Sequence, residues 1–248
     1  MELRVDGGRV WTVLVAAVGV LVAGHVVGMV FIHGLGHDHV FGLVPMFSLD
    51  GESNLPAWFS GGILACSALL LLVTALAERG RGDPWIGWMG LAVIFAFLSL
   101  DEVAVVHERL GWAAGDLAGA EGTLQEYAWV AVYLPVVALI GLAYLRFLAR
   151  LAPPIRNGML LAALLYVGGA AGIEVLGSPF WNDDATQRGW PYLALVGVEE
   201  ALEMLGIAVF IRTILRYDAQ ERFTLVFAEA WTGAPAADVA AAADAREG

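Results

Sequence analysis

"LAVIFAFLSLDEVAVVHERL", residues 91–110, runs through an unbroken apolar stretch from Leu91 to Leu98 and then places Asp101, Glu102, His107 and Glu108 in the same segment. Such a stretch is either a buried core helix or the end of a membrane span, and composition separates the two. Of 248 residues, 59% are hydrophobic and 15% charged, and the mean hydropathy is +0.73. Those values lie outside the range of an ordinary soluble domain. The segment therefore reads as a membrane span whose outer portion carries ionisable groups.

A span needs roughly 20 apolar residues. Six stretches qualify, at about 10–33, 57–78, 84–109, 127–149, 155–176 and 191–215. The expected fold class is all-α, a polytopic bundle of six transmembrane helices forming one domain over residues 1–216. Arg4 and Arg9 precede the first stretch as they would a signal peptide, but its apolar run is too long, so it is kept as a span. Arginines then orient the bundle. Arg4, Arg9, Arg79, Arg81, Arg146, Arg150, Arg156, Arg212, Arg216 and Arg222 fall on one side, and only Arg109 and Arg188 on the other. Both termini are expected in the cytoplasm, with loops 34–56, 110–126 and 177–190 facing outward. Residues 217–248 read as a cytoplasmic tail, a short amphipathic segment followed by a disordered Ala/Asp-rich stretch.

The formal net charge is -12, much of it in loops and tail, which does not suggest a nucleic-acid partner. Every basic residue outside histidine is an arginine, so no lysine is present to form a Schiff base with retinal or pyridoxal phosphate. Cys66 is the single cysteine. It excludes an intramolecular disulfide and a thiolate cluster, and it reads as a small packing residue. Trp58, Trp85, Trp88, Trp112, Trp129, Trp181 and Trp190 lie near expected span ends and read as interfacial anchors.

An ionisable group deep in a bilayer costs about 2.5–3.5 kcal/mol on insertion, which makes each intramembrane acid a functional candidate. The third span brings Asp101, Glu102, His107 and Glu108, and the fifth brings Glu174. The sixth, "VGVEEALEMLG" at 196–206, brings Glu199, Glu200 and Glu203, and the first brings His25. At about 1.5 Å per residue, Asp101 and Glu199 lie at similar depths, roughly 12–14 Å from the outer surface. On a helical wheel Glu199, Glu200 and Glu203 share an arc of about 100° and can all face the bundle interior. Asp101 and Glu108 nearly eclipse, whereas Glu102 and His107 flare apart, so those two face neighbouring helices or the helix ends near His107.

Three accounts compete. Several carboxylates with an imidazole suit a divalent metal in a helix bundle, as in carboxylate di-metal sites, although the Glu-x-x-His spacing of those sites is absent and the metal cannot be named. The same acids serve a proton or cation pathway, because close like charges cannot all ionise. Or they hydrogen-bond one another and fix helix register. The metal account is placed first, with a membrane-embedded metal-dependent enzyme acting on a lipid or outer-leaflet substrate as its functional form. A proton- or cation-coupled transporter or sensor, and a structural subunit of a membrane complex, are the alternatives. Transport is disfavoured by the inner halves of the spans, whose polar groups are few, such as Thr74, Asn157 and Thr213.

The outer loop adds His33, His37 and His39 as a candidate metal port, with glycines between them that argue for a loop. Asp50 and Glu52 in "LDGESNLPAWF" read as helix-start acids or as lip residues of the same outer cavity. Asn54 or Ser53 is the expected cap, with Pro56 in the first turn. Gly168, Gly169 and Gly172 before Glu174 permit close helix contact. Asp183, Asp184 and Arg188 read as a solvated outer loop.

The combination of "LSLDE" with "HE" in the third span, "EEALEMLG" in the sixth and "DGESNLPAWFS" before the second resembles a group of bacterial polytopic membrane proteins with no assigned activity. The resemblance covers residues 10–216. It implies a multi-pass protein of the bacterial cytoplasmic membrane, with the lipid bilayer as its surroundings.

Overall fold

The computed structural model describes residues 5–122, 125, 128–182 and 188–221. Arg4, Arg222, Asp183, Asp184 and the tail from 222 to 248, about which the sequence raised expectations, lie outside the described residues. Among those described, every regular element is helical.

Helix α1 spans Gly7–Leu35. The Asp6 carboxylate accepts the N–H groups of Gly8 and Arg9 at its start, and Gly36, with φ of 68°, closes it in the left-handed region. A 3-10 turn, Val40–Gly42, leads into the short α2, Leu43–Phe47. Helix α3, Leu55–Arg81, begins where Asn54 accepts the Ala57 N–H at 3.2 Å, with Pro56 in the first turn, and ends at Gly82. Of the two caps open to the sequence, Asn54 is the one used. Its amide also donates to the Ser48 carbonyl at 2.7 Å, which ties the preceding loop to the helix start. Next come α4, Ile86–Ala104, and α5, Val106–Ala118. Helix α6 spans Ala128–Arg150 and α7 Pro153–Val167. A π turn at Gly168–Ile173 leads into α8, Glu174–Gly177, and α9 occupies Trp190–Gln220.

Among the described residues, five helical runs are long and apolar enough to cross a membrane: α1, α3, α4, α6 and the run Pro153–Phe180 that starts with α7. Helix α9 has 31 residues, long enough at about 1.5 Å each to cross a bilayer, but its window is interrupted by Glu199, Glu200, Glu203, Arg212 and Arg216. It is also the element around which the others pack. Helices α1, α3 and α7 all lie against it. Its Tyr192, Leu193, Val196, Met204, Ile207 and Ile211 join Val18, Leu21 and Met29 of α1 and Ile63 and Leu64 of α3 in one core. Its Phe210 and Ile214 join Leu71, Ala75, Trp88, Ala92, Ile155 and Met159 in a second.

Between apolar helices in lipid the driving force is close packing rather than exclusion of water, so small residues set the approach. A Cβ on Gly206 of α9 would stand 2.9 Å from the Ala162 carbonyl oxygen and 2.9 Å from the Tyr166 nitrogen. Only glycine lets these two backbones cross so closely. The arginine-rich end is pinned by polar contacts. Buried Glu78 accepts from Arg81 at 2.7 Å and from the Tyr217 hydroxyl, Arg81 also pairs with Glu221 at 3.3 Å, and Thr74 donates to Asp218 at 2.9 Å. Glu78 was not singled out from sequence, because a lone acid beside two arginines at a span end reads as surface.

Three expectations change. The stretch 84–109 is not one helix: the chain breaks at Val105, which takes φ 52° and ψ 46° between α4 and α5. Trp88, expected as an anchor, is 2% exposed and packs on Phe147 and Tyr217. Cys66, expected as a packing residue, faces outward from α3.

Candidate functional site

The break at Val105 is what turns the acids of the third span toward one place. A β-branched residue at positive φ is strained and persists only where its surroundings fix it. Here Asp101, in the last turn of α4, supplies much of that fixing. Its Oδ1 accepts the backbone N–H of His107 at 2.7 Å, its Oδ2 lies 3.2 Å from His107 Nδ1, and the Tyr133 hydroxyl of α6 donates to it at 3.5 Å. Asp101 thus stitches the end of α4 to the first turn of α5 and to α6. The flare expected between Glu102 and His107 is resolved by ending the helix before His107.

A second irregularity lies opposite. The π turn at Gly168–Ile173 packs on α9 through Gly169, where a Cβ would stand 2.8 Å from the Glu199 carbonyl oxygen and 3.0 Å from Glu203 Cγ. Gly168 and Gly172 meet nothing within 4 Å, so one of the three glycines makes the close approach that the sequence assigned to all. π turns recur at functional sites because they re-aim the side chains that follow. The one that follows here is Glu174, whose Oε1 accepts the Trp129 indole N–H at 2.9 Å.

Between these two irregularities lies a cavity of about 220 Å³. Asp50 and Glu52 from the loop before α3, Asp101 and Glu102 from α4, Glu108 from α5, Glu174 from α8, and Glu199, Glu200 and Glu203 from α9 all line it. His107 is the one basic side chain that lines it among the described residues, and it is already paired with Asp101. Arg188 reaches the rim and donates to Asp50 Oδ2 at 2.8 Å while its guanidinium stacks on Tyr192. The remaining wall is aromatic and aliphatic: Trp129, Tyr133, Leu134 and Val137 of α6, Tyr166 and Val167 of α7, Ala170 and Ala171 of the π turn, and Tyr192 and Val196 of α9.

The carboxyl groups far outnumber the cations that face them. So many negative charges in a low-dielectric space must be balanced by protons or by a bound cation. At the lip, outside the membrane-spanning segments, Glu52 has its carboxyl pushed above 4.5 by desolvation and by Glu108, against an opposing pull from His107. Among the described residues, no group of three or more His, Cys, Asp or Glu side chains is gathered closely enough to hold a metal ion. The acids line the walls of a chamber instead of converging on a point.

The sequence-derived candidates divide accordingly. Asp101, Glu102, His107, Glu108, Glu174, Glu199, Glu200, Glu203, Asp50 and Glu52 come together. His25 does not. It lies on the buried face of α1, its Nδ1 accepts the Leu49 N–H at 3.1 Å, and its Nε2 therefore carries the proton and donates to the Leu193 carbonyl of α9 at 3.0 Å. Both nitrogens are used in holding backbone. His33 packs its ring 5.4 Å from that of Trp190, while His37 and His39 are exposed beyond the end of α1. These three do not assemble into a port. Tyr133, Tyr166, Tyr192 and Trp129 are the aromatic lining residues that sequence reasoning did not place in the site. Single aromatics at helical spacing carry no sign that separates a cavity wall from a lipid-facing anchor.

No curated protein and no solved structure matches the chain. A family model does match, over residues 12–217, which covers all but the first residues of α1 and the last of α9 and takes in the whole chamber. The chain belongs to the family described as a domain of unknown function, DUF8692.

Proposed function

We propose that this is a six-span membrane protein, with both termini in the cytoplasm, whose chamber opens outward and binds a cation from that side. The observation that carries the reading is the convergence, among the described residues, of nine carboxyl side chains from five segments on one cavity, with a single basic residue, His107, in its lining. The assignment of sides is supported by the arginine-bearing ends, which meet in space. Gly7 lies beside Leu215, Arg81 pairs with Glu221, Gly87 is packed by Phe147, and Gly158 is packed by Thr213. The positive-inside rule puts that end in the cytoplasm and the chamber at the other. The bacterial cytoplasmic membrane remains the proposed location.

Among the described residues, the core cluster from Leu71 and Ala75 to Phe210 and Ile214 is apolar, and the acids on the arginine side, Glu78 and Asp218, are held by Arg81, Tyr217 and Thr74. A one-sided chamber supports binding, sensing or catalysis over conduction. A divalent metal remains the first candidate cation, and it would draw two or three of Glu102, Glu199, Glu200 and Glu203 inward on binding. A metal-dependent enzyme acting on an outer-leaflet substrate is the catalytic form of this reading, with one remaining glutamate acting on metal-bound water.

The test is binding in nanodiscs. Zinc, manganese, calcium and tetramethylammonium are each titrated calorimetrically into wild type and into a Glu200→Gln/Glu203→Gln variant, with metal content of the purified protein measured by plasma mass spectrometry. Saturable binding of at least one cation, weakened tenfold or more in the variant, is expected. Absence of binding by all four, with no co-purified metal, overturns the reading.

A further inference from the structure

The chamber has one wall unlike the rest. Helices α6 and α7 are joined by a short turn at 151–152, yet among the described residues their backbones do not pack along one another. Helix α6 is fastened elsewhere. At its start it packs along α5, with Trp129 against Gly111, and toward its other end the Tyr144 hydroxyl donates to the Gly87 carbonyl at 3.1 Å while Phe147 meets the Trp88 ring edge-on. Between those fastenings α6 faces α7 and the π turn across a cleft. Leu134 and Val137 line the chamber and are nonetheless 49% and 37% exposed. The cavity therefore reaches the molecular surface at these two residues, on a face that the membrane reading places in lipid.

Leu134 and Val137 of α6 and Val167, Ala170 and Ala171 on the α7 side give the cleft apolar walls, and they line the same cavity as Glu102, Glu200 and Glu203. A pocket of about 220 Å³ is smaller than the ~300–1,000 Å³ pockets that enclose whole drug-sized ligands. It has room for a headgroup, while a longer apolar portion has to lie outside it, where the cleft is. Tyr133 and Tyr166 add π faces next to the acids, a pairing suited to alkylated ammonium groups.

We infer that the chamber is loaded sideways from the outer leaflet by a single-chain amphiphile with an ammonium headgroup, its chain in the α6–α7 cleft and its headgroup among Glu102, Glu200 and Glu203. This deepens the cation-binding reading and rests on it. Charge complementarity selects the headgroup, and continuity of the apolar cleft with the acidic chamber selects the chain.

The test compares dodecyltrimethylammonium with tetramethylammonium, by native mass spectrometry of the protein in neutral maltoside micelles. Specific affinity is taken as the part lost in Glu200→Gln/Glu203→Gln, which removes partitioning into the micelle. Two variants fill the cleft without touching an acid, Val137→Trp and Leu134→Trp, so that misfolding of one leaves the other. The expected result is an affinity at least tenfold higher for the dodecyl cation, falling to within threefold of tetramethylammonium in the cleft variants. Equal affinity for the two cations in wild type overturns sideways loading and leaves the cation chamber standing. A dodecyl preference that survives both cleft variants also overturns it, since the chain then lies elsewhere. Failure of both cations and of the divalent metals overturns the chamber itself.

Discussion

His25 separates two meanings that an intramembrane histidine can carry. By type and depth it belongs with the acids, as a nitrogen ligand. By position it is a brace: it joins Leu49, in the loop that carries Asp50 and Glu52, to Leu193 at the start of the helix that carries the glutamates. Replacing it with leucine strands the Leu49 N–H, worth about 1–3 kcal/mol when left unpaired, and removes the bond to the Leu193 carbonyl, worth about 0.5–1.5 kcal/mol. His25→Leu is accordingly expected to cost about 2–4 kcal/mol and to lower the thermal midpoint clearly. Cation affinity per folded molecule should be unchanged in the calorimetric titration. A variant of full stability that binds no cation would instead make His25 a ligand. The acids themselves were legible in the sequence, because helical periodicity put Glu199, Glu200 and Glu203 on one arc and rise per residue put Asp101 at their level. His25 was not, because its partners are backbone groups contributed by distant segments, and a backbone group leaves no trace in residue identity.

Element geometry accounts for most of what sequence could not foresee. The break at Val105 lies in a stretch whose composition favours a continuous helix, and the π turn at Gly168–Ile173 in one whose glycines weaken a helix without setting its pitch. A valine at positive φ announces nothing, and it is held there by the Asp101 contacts to His107 made across the break. The three glycines before Glu174 did announce a close approach, without saying which one makes it. Gly169→Ala is expected to destabilise by about 1–3 kcal/mol, because its Cβ meets backbone that cannot yield. The shift of α9 that follows should also weaken cation binding at Glu203. Gly168→Ala, whose Cβ meets nothing and whose φ and ψ are helical, should stabilise by about 0.5–1 kcal/mol through a less mobile unfolded chain. Thermal unfolding of the two variants side by side checks the pair. Equal effects would mean that the π turn does not sit against α9 as described.

At the scale of the molecule, the source of the chamber's ligand depends on which side of the membrane the chamber faces. The chain sorts its charges by end: arginines cluster where α1 begins and α3, α6 and α9 approach their ends, and the nine carboxyls of the chamber cluster at the other. Moving a chamber of glutamates to the cytoplasmic side would require those arginines to cross, which the insertion machinery resists. Cys66 faces outward from α3, so a Cys66→Ser background removes it without disturbing a core. In that background His39→Cys, in the exposed loop after α1, and Asp83→Cys, in the turn between α3 and α4, place single thiols at the two ends. A membrane-impermeant maleimide applied to intact cells is expected to label the first at least tenfold faster than the second, with both labelled after the membrane is opened. The reverse pattern would put the chamber in contact with cytoplasm. The same carboxyls would then face the cytoplasmic ion pool, and sideways loading from the outer leaflet would lose its route. Because the chamber, the cleft and the arginine ends belong to one packed bundle around α9, this single asymmetry decides the sidedness of all three together.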